Sequence, residues 1–160
     1  MIRKVSLWVL VLDQLSKFLV SRYCLPDQSI PVVPHVFYLT YIHNPGVAFG
    51  FFAHLAAWIR IPFFILITLT AGLVVYAYQR FVPREKTGIR FALGLIWGGA
   101  MGNFVDRLFR KEVVDFIDVE RLRLWSHNFP WIFNLADSCI TVGLIIIFVI
   151  YFFDPKHDPS

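Results

Sequence analysis

The fold of this chain is decided by residues 98–138, which contain the segments GGAMGNFVDR (98–107), VVDFI (113–117) and FNLADS (133–138). Small residues in the first segment allow helices to pack closely. The β-branched and aromatic residues around Asp115 predict a short extended segment, and Asp137 lies at the start of a long apolar run. Because an isolated charge is costly beside apolar segments, we expect the two carboxylates to face each other near a membrane surface.

The composition indicates a single integral membrane domain covering residues 1–160. Hydrophobic residues make up 58% of the 160 positions and charged residues only 16%, which is too apolar for a soluble domain of this size. The basic residues behind the net charge of +4 lie mainly at the ends of apolar segments, where they serve topology and lipid headgroups. No nucleic-acid partner is therefore expected. The two cysteines show neither a disulfide framework nor a metal-binding spacing.

The apolar segments predict an all-α membrane protein with four transmembrane helices and a small β-containing extracytoplasmic region. Residues 61–79 carry no charge over nineteen positions, close to the roughly 20 needed to cross the hydrocarbon. Prolines and β-prone residues, above all at 36–42, predict short strands after the first helix. The predicted helices cover residues 5–20, 61–79, 87–105 and 132–153, and the predicted extracytoplasmic loops cover 21–58 and 107–131.

The first apolar segment is interrupted by Asp13 and Lys17, so it is expected to be a retained helix rather than a cleaved signal peptide. Their i, i+4 spacing places both on one helical face and favours an ion pair directed towards other helices or an aqueous cavity. A salt bridge near the helix end, with Lys17 extending to the interface, is the alternative. Asp106 and Arg107 are expected to tie the third helix to the loop that follows it.

An even number of spanning helices puts both termini on one side of the membrane, and local charge indicates which side. The totals of positive charge on the two sides are equal, but four basic residues crowd residues 80–90 and a basic pair occupies residues 3–4. Because positive charge concentrates in cytoplasmic connections, this density favours cytoplasmic termini.

Five motifs in order along the chain resemble one known family. They are DQLSK (13–17), NPGVAF (44–49), GGAMGNFVDR (98–107), VVDF (113–116) and FNLADS (133–138). Together they resemble lipoprotein signal peptidase, or signal peptidase II, a bacterial intramembrane aspartyl peptidase. Cys139, next to the last motif, is one local departure. The resemblance implies a catalytic dyad of Asp115 and Asp137, with substrate-binding or supporting roles for Asp13, Lys17, Asn44, Gly46, Asn103, Arg107 and Asn134.

The resemblance also implies a substrate and a location. The substrate is a prolipoprotein whose signal peptide is cut off N-terminal to a diacylglyceryl-modified cysteine. The enzyme is expected in the bacterial cytoplasmic (inner) membrane as a multi-pass monomer in contact with membrane lipids. Its active site would lie towards the outer face, and no cofactor or metal is expected.

The residues themselves support acid/base chemistry, because two facing aspartates do not both ionise readily and share a proton. Structural alternatives are pairing of Asp115 with Arg110, Lys111 or Arg121, and N-capping of the last helix by Asp137. Zinc chemistry is disfavoured because HExxH is absent and the five histidines include no i, i+4 pair. Other mechanisms that remain open are a Ser/Lys peptidase, with Lys17 and either Ser16 or Ser138, and a non-enzymatic transporter or assembly protein.

The three asparagines of these motifs are expected to hold the substrate. A peptide that unwinds at the membrane surface exposes backbone groups that need partners, and an amide offers both donors and an acceptor without adding charge. Asn44, Asn103 and Asn134 are therefore predicted to hydrogen-bond the substrate backbone. The segment 46–52 is predicted to cover the scissile bond.

Overall fold

The chain folds into four helices and one small antiparallel sheet, as seen in a computed structural model that describes residues 1–46, 55–119 and 132–153. The predicted combination of helices with a small β region is confirmed. The strands lie in the order β1-β2-β3-β4. The elements are α1 Ile2–Tyr23, β1 Ser29–Val33, β2 Phe37–Asn44, α2 Ala57–Tyr78, α3 Thr87–Phe109, β3 Val113–Val119, β4 Ile132–Phe133 and α4 Leu135–Phe152.

All four helices differ from their predicted bounds. Helix α1 extends three residues further at each end than 5–20, α2 begins at Ala57 rather than at residue 61, and α3 and α4 differ where polar groups find internal partners. Helix α3 continues past residue 105 to Phe109, because Asp106 is buried and bonded rather than placed in a loop. Residues 132–133, predicted as helix, instead form β4, which pairs with Ile117 and Asp118 of β3. Helix α4 begins only at Leu135, where the Asn134 side chain accepts a hydrogen bond from the Asp137 backbone N–H.

Two of the four helices, α2 and α4, are long and apolar enough to span a membrane on their own composition. Helices α1 and α3 are more polar because they carry the buried groups Asp13, Lys17, Asn103 and Asp106. Large apolar side chains such as Trp8, Leu73 and Phe148 are more than 60% exposed, which suits contact with lipid.

Helix α3 is the central element because its glycines let two other helices approach. A Cβ at Gly98 would lie 2.6 Å from Cβ of Val9 on α1, and a Cβ at Gly99 would lie 2.9 Å from Cγ1 of Ile140 on α4. Neither position tolerates a side chain without displacing a helix. The predicted small-residue packing face on α3 is thus confirmed.

The two ends of the helix bundle differ in character. At one end, Ile2, Val75 and Ile89 form a cluster that joins the start of α1, the end of α2 and the start of α3. At the other end, Val20 and Val114 belong to a cluster that joins α1 to the sheet. The functional side chains lie at the sheet end.

Candidate active site

Lys17 is fully buried and is held by three acceptors. Its Nζ lies 2.8 Å from Oδ2 of Asp13, 2.8 Å from Oδ2 of Asp106 and 2.9 Å from Oδ1 of Asn103. An ammonium has three N–H donors, so each donor has a partner, and this satisfaction is what allows a buried charge. The predicted Asp13–Lys17 pair is confirmed. The alternative of Lys17 extending to the interface is wrong.

Asp106 links α3 to β3, as predicted, because its Oδ2 accepts a hydrogen bond of 3.3 Å from the backbone N–H of Val114. Arg107 links to a different segment. Its Nη2 donates to the carbonyl of Gly46 at 3.1 Å, just beyond β2, and its guanidinium stacks 4.4 Å from the ring centroid of Phe64 on α2. The predicted tie of Arg107 to the loop after α3 is therefore corrected to a tie with the end of β2.

Asp115 lies in the middle of β3, 2% exposed, and both its oxygens accept from asparagine side chains. The Nδ2 of Asn44 donates to Oδ2 at 2.8 Å, and the Nδ2 of Asn134 donates to Oδ1 at 2.6 Å. Of the structural alternatives, Arg110 instead donates to Asp106 and Gln14, Lys111 is exposed, and Arg121 lies outside the described residues. Asp115 is thus held by neutral donors.

Asp137 occupies the first turn of α4 and receives two further donors. The Nδ2 of Asn103 donates to its Oδ1 at 2.7 Å, and the backbone N–H of Asn134 donates to its Oδ2 at 3.3 Å. The second bond completes a capping box with Asn134. The predicted N-capping of α4 by Asp137 is therefore corrected, because Asn134 is the N-cap and Asp137 supports it from the third helical position. Asp137 also lines the same cavity as Asp115.

The orientation of the two amides is determined by their partners. Because Lys17 can only donate, Oδ1 of Asn103 must face it, and Nδ2 of Asn103 must face Asp137. In the same way, Oδ1 of Asn134 accepts from the backbone N–H of Asp137, so its Nδ2 faces Asp115 and also Oδ1 of Asn103 at 3.1 Å. Lys17 is thus connected to both carboxyls through neutral amides.

A cavity of about 290 Å³ opens in front of both carboxyls. Its polar end carries Asn44, Asn103 and Arg107 besides the two carboxyls, and its apolar walls come from α2, α3 and α4, including Phe64, Ile96 and Ile140. Burial and, second, the nearby charge of Asp137 together raise the pKa of Asp115 from 3.8 to about 7. One proton can therefore remain on the pair at neutral pH.

The sequence-predicted residues converge at this site. Asn44, Asn103 and Asn134 each direct a donor at one of the two aspartates. Their hydrogen bonds to a substrate backbone stay a prediction. Gly46 is placed by two bonds, one from its N–H to Oδ1 of Asn44 at 2.9 Å and one from Arg107 to its carbonyl. The rest of the predicted cover, residues 47–52, lies outside the described residues.

The sequence reasoning missed two buried residues of α2. Phe64 lines the cavity and supports Arg107, and Arg60, one turn earlier, is only 8% exposed although it carries a charge. Arg60 could have been singled out from the sequence, because it is a lone charge within an otherwise apolar turn. Phe64 could not, because no pattern distinguishes it from the other phenylalanines of α2.

The structure gives less support to a Ser/Lys peptidase or a metal-dependent mechanism. Ser16 Oγ donates to the carbonyl of Asp13 at 2.8 Å and Ser138 Oγ to the carbonyl of Asn134 at 2.9 Å, while Lys17 is occupied by its acceptors. Neither serine is therefore arranged as a nucleophile with Lys17 as its base. Within the described part of the chain, no group of three or more His, Cys, Asp or Glu side chains is placed to hold a metal ion.

Two solved structures share this fold over nearly the whole chain. A bacterial membrane enzyme solved by the in meso method at 2.3 Å resolution matches with a TM-score of 0.81 and 30% identity, over 99% of this chain and 92% of that one. Another bacterial membrane enzyme, at 1.9 Å resolution, matches with a TM-score of 0.77 and 30% identity, over 96% and 93% of the two chains. The fold and the polar site thus define the class: a bacterial membrane enzyme.

Sequence comparison narrows this class to one family. The family model for signal peptidase (SPase) II matches residues 5–153. The lipoprotein signal peptidase of Moorella thermoacetica is 40% identical over 89% of this chain and 86% of its own length, and that of Geobacillus kaustophilus is 43% identical over 91% and 88%. The chain belongs to the signal peptidase II family, which confirms the resemblance drawn from the five motifs. It is accordingly a peptidase for the signal peptides of prolipoproteins.

Proposed function

We propose that this chain is an aspartic endopeptidase in which Asp115 and Asp137 activate water to cut a prolipoprotein signal peptide. The observation that carries the proposal is the presence of two carboxyls on one cavity, both bonded to Asn134, one of them with a pKa near 7. A shared proton makes one carboxyl a base and the other an acid at the same pH.

The proposed reaction uses both roles in turn. The ionised carboxyl takes a proton from a water, whose oxygen attacks the scissile carbonyl, while the protonated carboxyl hydrogen-bonds the developing oxygen. The protonated carboxyl passes its proton to that oxygen, which gives a gem-diol. As the gem-diol collapses, one hydroxyl returns a proton to this carboxyl, the other carboxyl protonates the leaving amine, and the dyad is again singly protonated. The proton belongs to the pair rather than to one named aspartate.

The substrate proposed for this site is a signal peptide joined to a diacylglyceryl-modified cysteine, with cleavage N-terminal to that cysteine. Support comes from the cavity, whose apolar walls suit a lipid-bearing segment and whose polar end suits an unwound peptide. The supporting roles of Asp13, Lys17, Gly46, Arg107 and the three asparagines follow from their contacts with the dyad or with one another.

The direct test incubates the purified protein in lipid micelles with a diacylglyceryl-modified prolipoprotein and follows release of the signal peptide. The matched control is the same precursor with its cysteine unmodified. Release from the modified form alone is expected. Equal release from both forms would contradict the lipid requirement, and undiminished release by variants lacking either dyad carboxyl would favour a non-enzymatic role for these buried charges.

We further propose a single monomeric domain with four spanning helices, cytoplasmic termini and the dyad towards the outer face of the inner membrane. The start of α1 and the connection between α2 and α3 lie at one end of the bundle, opposite the sheet and the dyad, which supports this topology. A cysteine introduced at position 86 is expected to resist a membrane-impermeant reagent in intact cells, and one at position 27 to react. The opposite labelling pattern would invert the orientation.

The pH dependence of cleavage is expected to show loss of the shared proton. The pKa of Asp115 is about 7 in the folded protein against 3.8 ordinarily, so kcat/KM should decline above about pH 7. The same pKa shift makes the stability of the fold depend on pH. Between about pH 4 and pH 7 the folded state keeps a proton that the unfolded chain has released. The contribution of this carboxyl to stability therefore falls as pH rises. A kcat/KM profile that stays flat to about pH 9 would contradict a singly protonated dyad.

Asn44→Ala is expected to raise the barrier to cleavage by about 1–3 kcal/mol, because Oδ2 of Asp115 loses its donor and the N–H of Gly46 loses its acceptor. The measurement is kcat/KM on lipid-modified substrate. Asn44→Asp is the matched comparison, since it keeps the acceptor for Gly46 but removes the donor to Asp115. Unchanged kinetics in the alanine variant, with the fold retained, would remove Asn44 from the site.

A further inference from the structure

A second cavity lies on another side of the bundle, and the proposed function does not use it. It has a volume of about 400 Å³ and runs between α1 and α2 with α3 as its floor. We call it the α1–α2 groove. Its apolar lining comes from Leu7 and Leu10 on α1, Gly72 and Val75 on α2, and Trp97 and Met101 on α3.

The shape of the groove follows from close helix approaches on either side of it. Helix α1 is drawn onto α3 at Gly98, whose Cβ would lie 2.9 Å from the Cα of Ser6, and Ser6 Oγ donates to the carbonyl of Gly94 at 3.1 Å. Helix α2 approaches α3 at Gly72, which is covered by the ring of Trp97. Trp97 therefore forms a flat apolar floor between two helices that converge on α3.

One end of the groove is polar and positively charged. Arg3, Tyr76 and Gln79 line this end. Arg80 joins them, because its guanidinium donates to the Tyr76 hydroxyl and lies 4.5 Å from the centroid of the Tyr76 ring. The position of the Arg80 charge is thus restrained beside the groove. From Arg3 to Leu10 the groove follows α1 for about 10 Å at 1.5 Å per residue.

We propose that the α1–α2 groove binds an anionic phospholipid, with one acyl chain over Trp97 and the phosphate between Arg3 and Arg80. Basic clusters at the end of spanning helices bind anionic headgroups, and apolar grooves between such helices face acyl chains rather than water. The positive charge of Arg3 and Arg80 argues against a signal peptide as the occupant of the groove. A signal peptide begins with a positively charged segment, which these arginines would repel.

Trp97 provides a local reporter of an acyl chain in the groove. Replacing the other tryptophans, Trp8, Trp58, Trp125 and Trp131, by phenylalanine leaves Trp97 as the single indole, and retained cleavage activity checks the fold. In bilayers with brominated acyl chains, brominated phosphatidylglycerol should quench Trp97 at lower mole fraction than brominated phosphatidylcholine. Arg3→Gln and Arg80→Gln should each reduce this preference about fivefold. Lys4→Gln, an exposed cation outside the groove lining, should leave it unchanged.

Three results would overturn the proposal. Equal quenching by the two lipids would mean ordinary contact with the bilayer. An equal effect of Lys4→Gln would mean general surface attraction rather than a site. Displacement of brominated phosphatidylglycerol by inorganic phosphate or by a synthetic signal peptide would assign the groove to a free anion or to the substrate. Because the readout is fluorescence and not cleavage, failure here leaves the proposed dyad untouched.

Discussion

Asp115→Asn and Asp137→Asn are each expected to lower kcat for signal-peptide release by about 10³-fold or more, with the protein still folded in the membrane. Each substitution leaves one carboxyl, which can be acid or base but cannot perform both roles in one turnover. The loss should appear in kcat rather than in KM, because the amides and apolar walls that line the cavity remain. Turnover within about tenfold of the parent by either variant would contradict the dyad.

The matched control is Asp118→Asn in the same strand. Asp118 is fully buried like Asp115, and its Oδ2 accepts from Thr40 Oγ1 at 2.8 Å, but it does not line the dyad cavity. An asparagine there retains an acceptor for Thr40, so cleavage should stay within about threefold of the parent. Asp106→Asn should act mainly on stability through Lys17. A stable but fully inactive Asp106→Asn variant would show that Asp115 and Asp137 are not the catalytic pair.

Lys17→Met is expected to lower the free energy of unfolding by about 3–5 kcal/mol, the usual cost of removing one partner from a buried ion pair. Methionine fills much of the space but leaves the Asp13 carboxyl without a cation, while Asp106 retains Arg110. The measurement is unfolding in lipid micelles. Lys4→Met, at an exposed position of the same helix, should change stability by less than about 0.5 kcal/mol.

A second substitution separates charge burial from general loss of packing. Asp13→Asn combined with Lys17→Met removes the unpaired carboxylate, so the double variant should be more stable than Lys17→Met alone. Cleavage should not recover fully with stability, because Oδ1 of Asn103 has lost the charged donor Lys17 and keeps only Nδ2 of Asn134 at 3.1 Å to orient its amide towards Asp137. A double variant no more stable than the single one would show that packing, not charge, explains the loss.

Much of the fold could be predicted from the sequence because it depends on residues that are close together in the chain. The apolar run of α2, the i, i+4 pair of Asp13 and Lys17, and the β-branched residues around Asp115 each report a structure made by near neighbours. The glycines of α3 also predicted close packing, since a small residue within an apolar helix has few other uses. The five motifs additionally identified the family, which the sequence and structure comparisons confirm.

The partners of the polar residues were decided only by the tertiary structure. Arg107 reaches Gly46, 61 positions away, and Asn134 joins Asp115 to Asn103 from the start of a different helix. No periodicity encodes such contacts, because hydrogen bonds between distant segments depend on how helices and strands pack. The same reason explains β4: residues 132–133 are apolar enough for a helix, and pairing with β3 makes them a strand. The sequence by itself determined which residues are too polar to lie unpaired in a membrane. The packing around α3 determined which groups form hydrogen bonds or ion pairs with them.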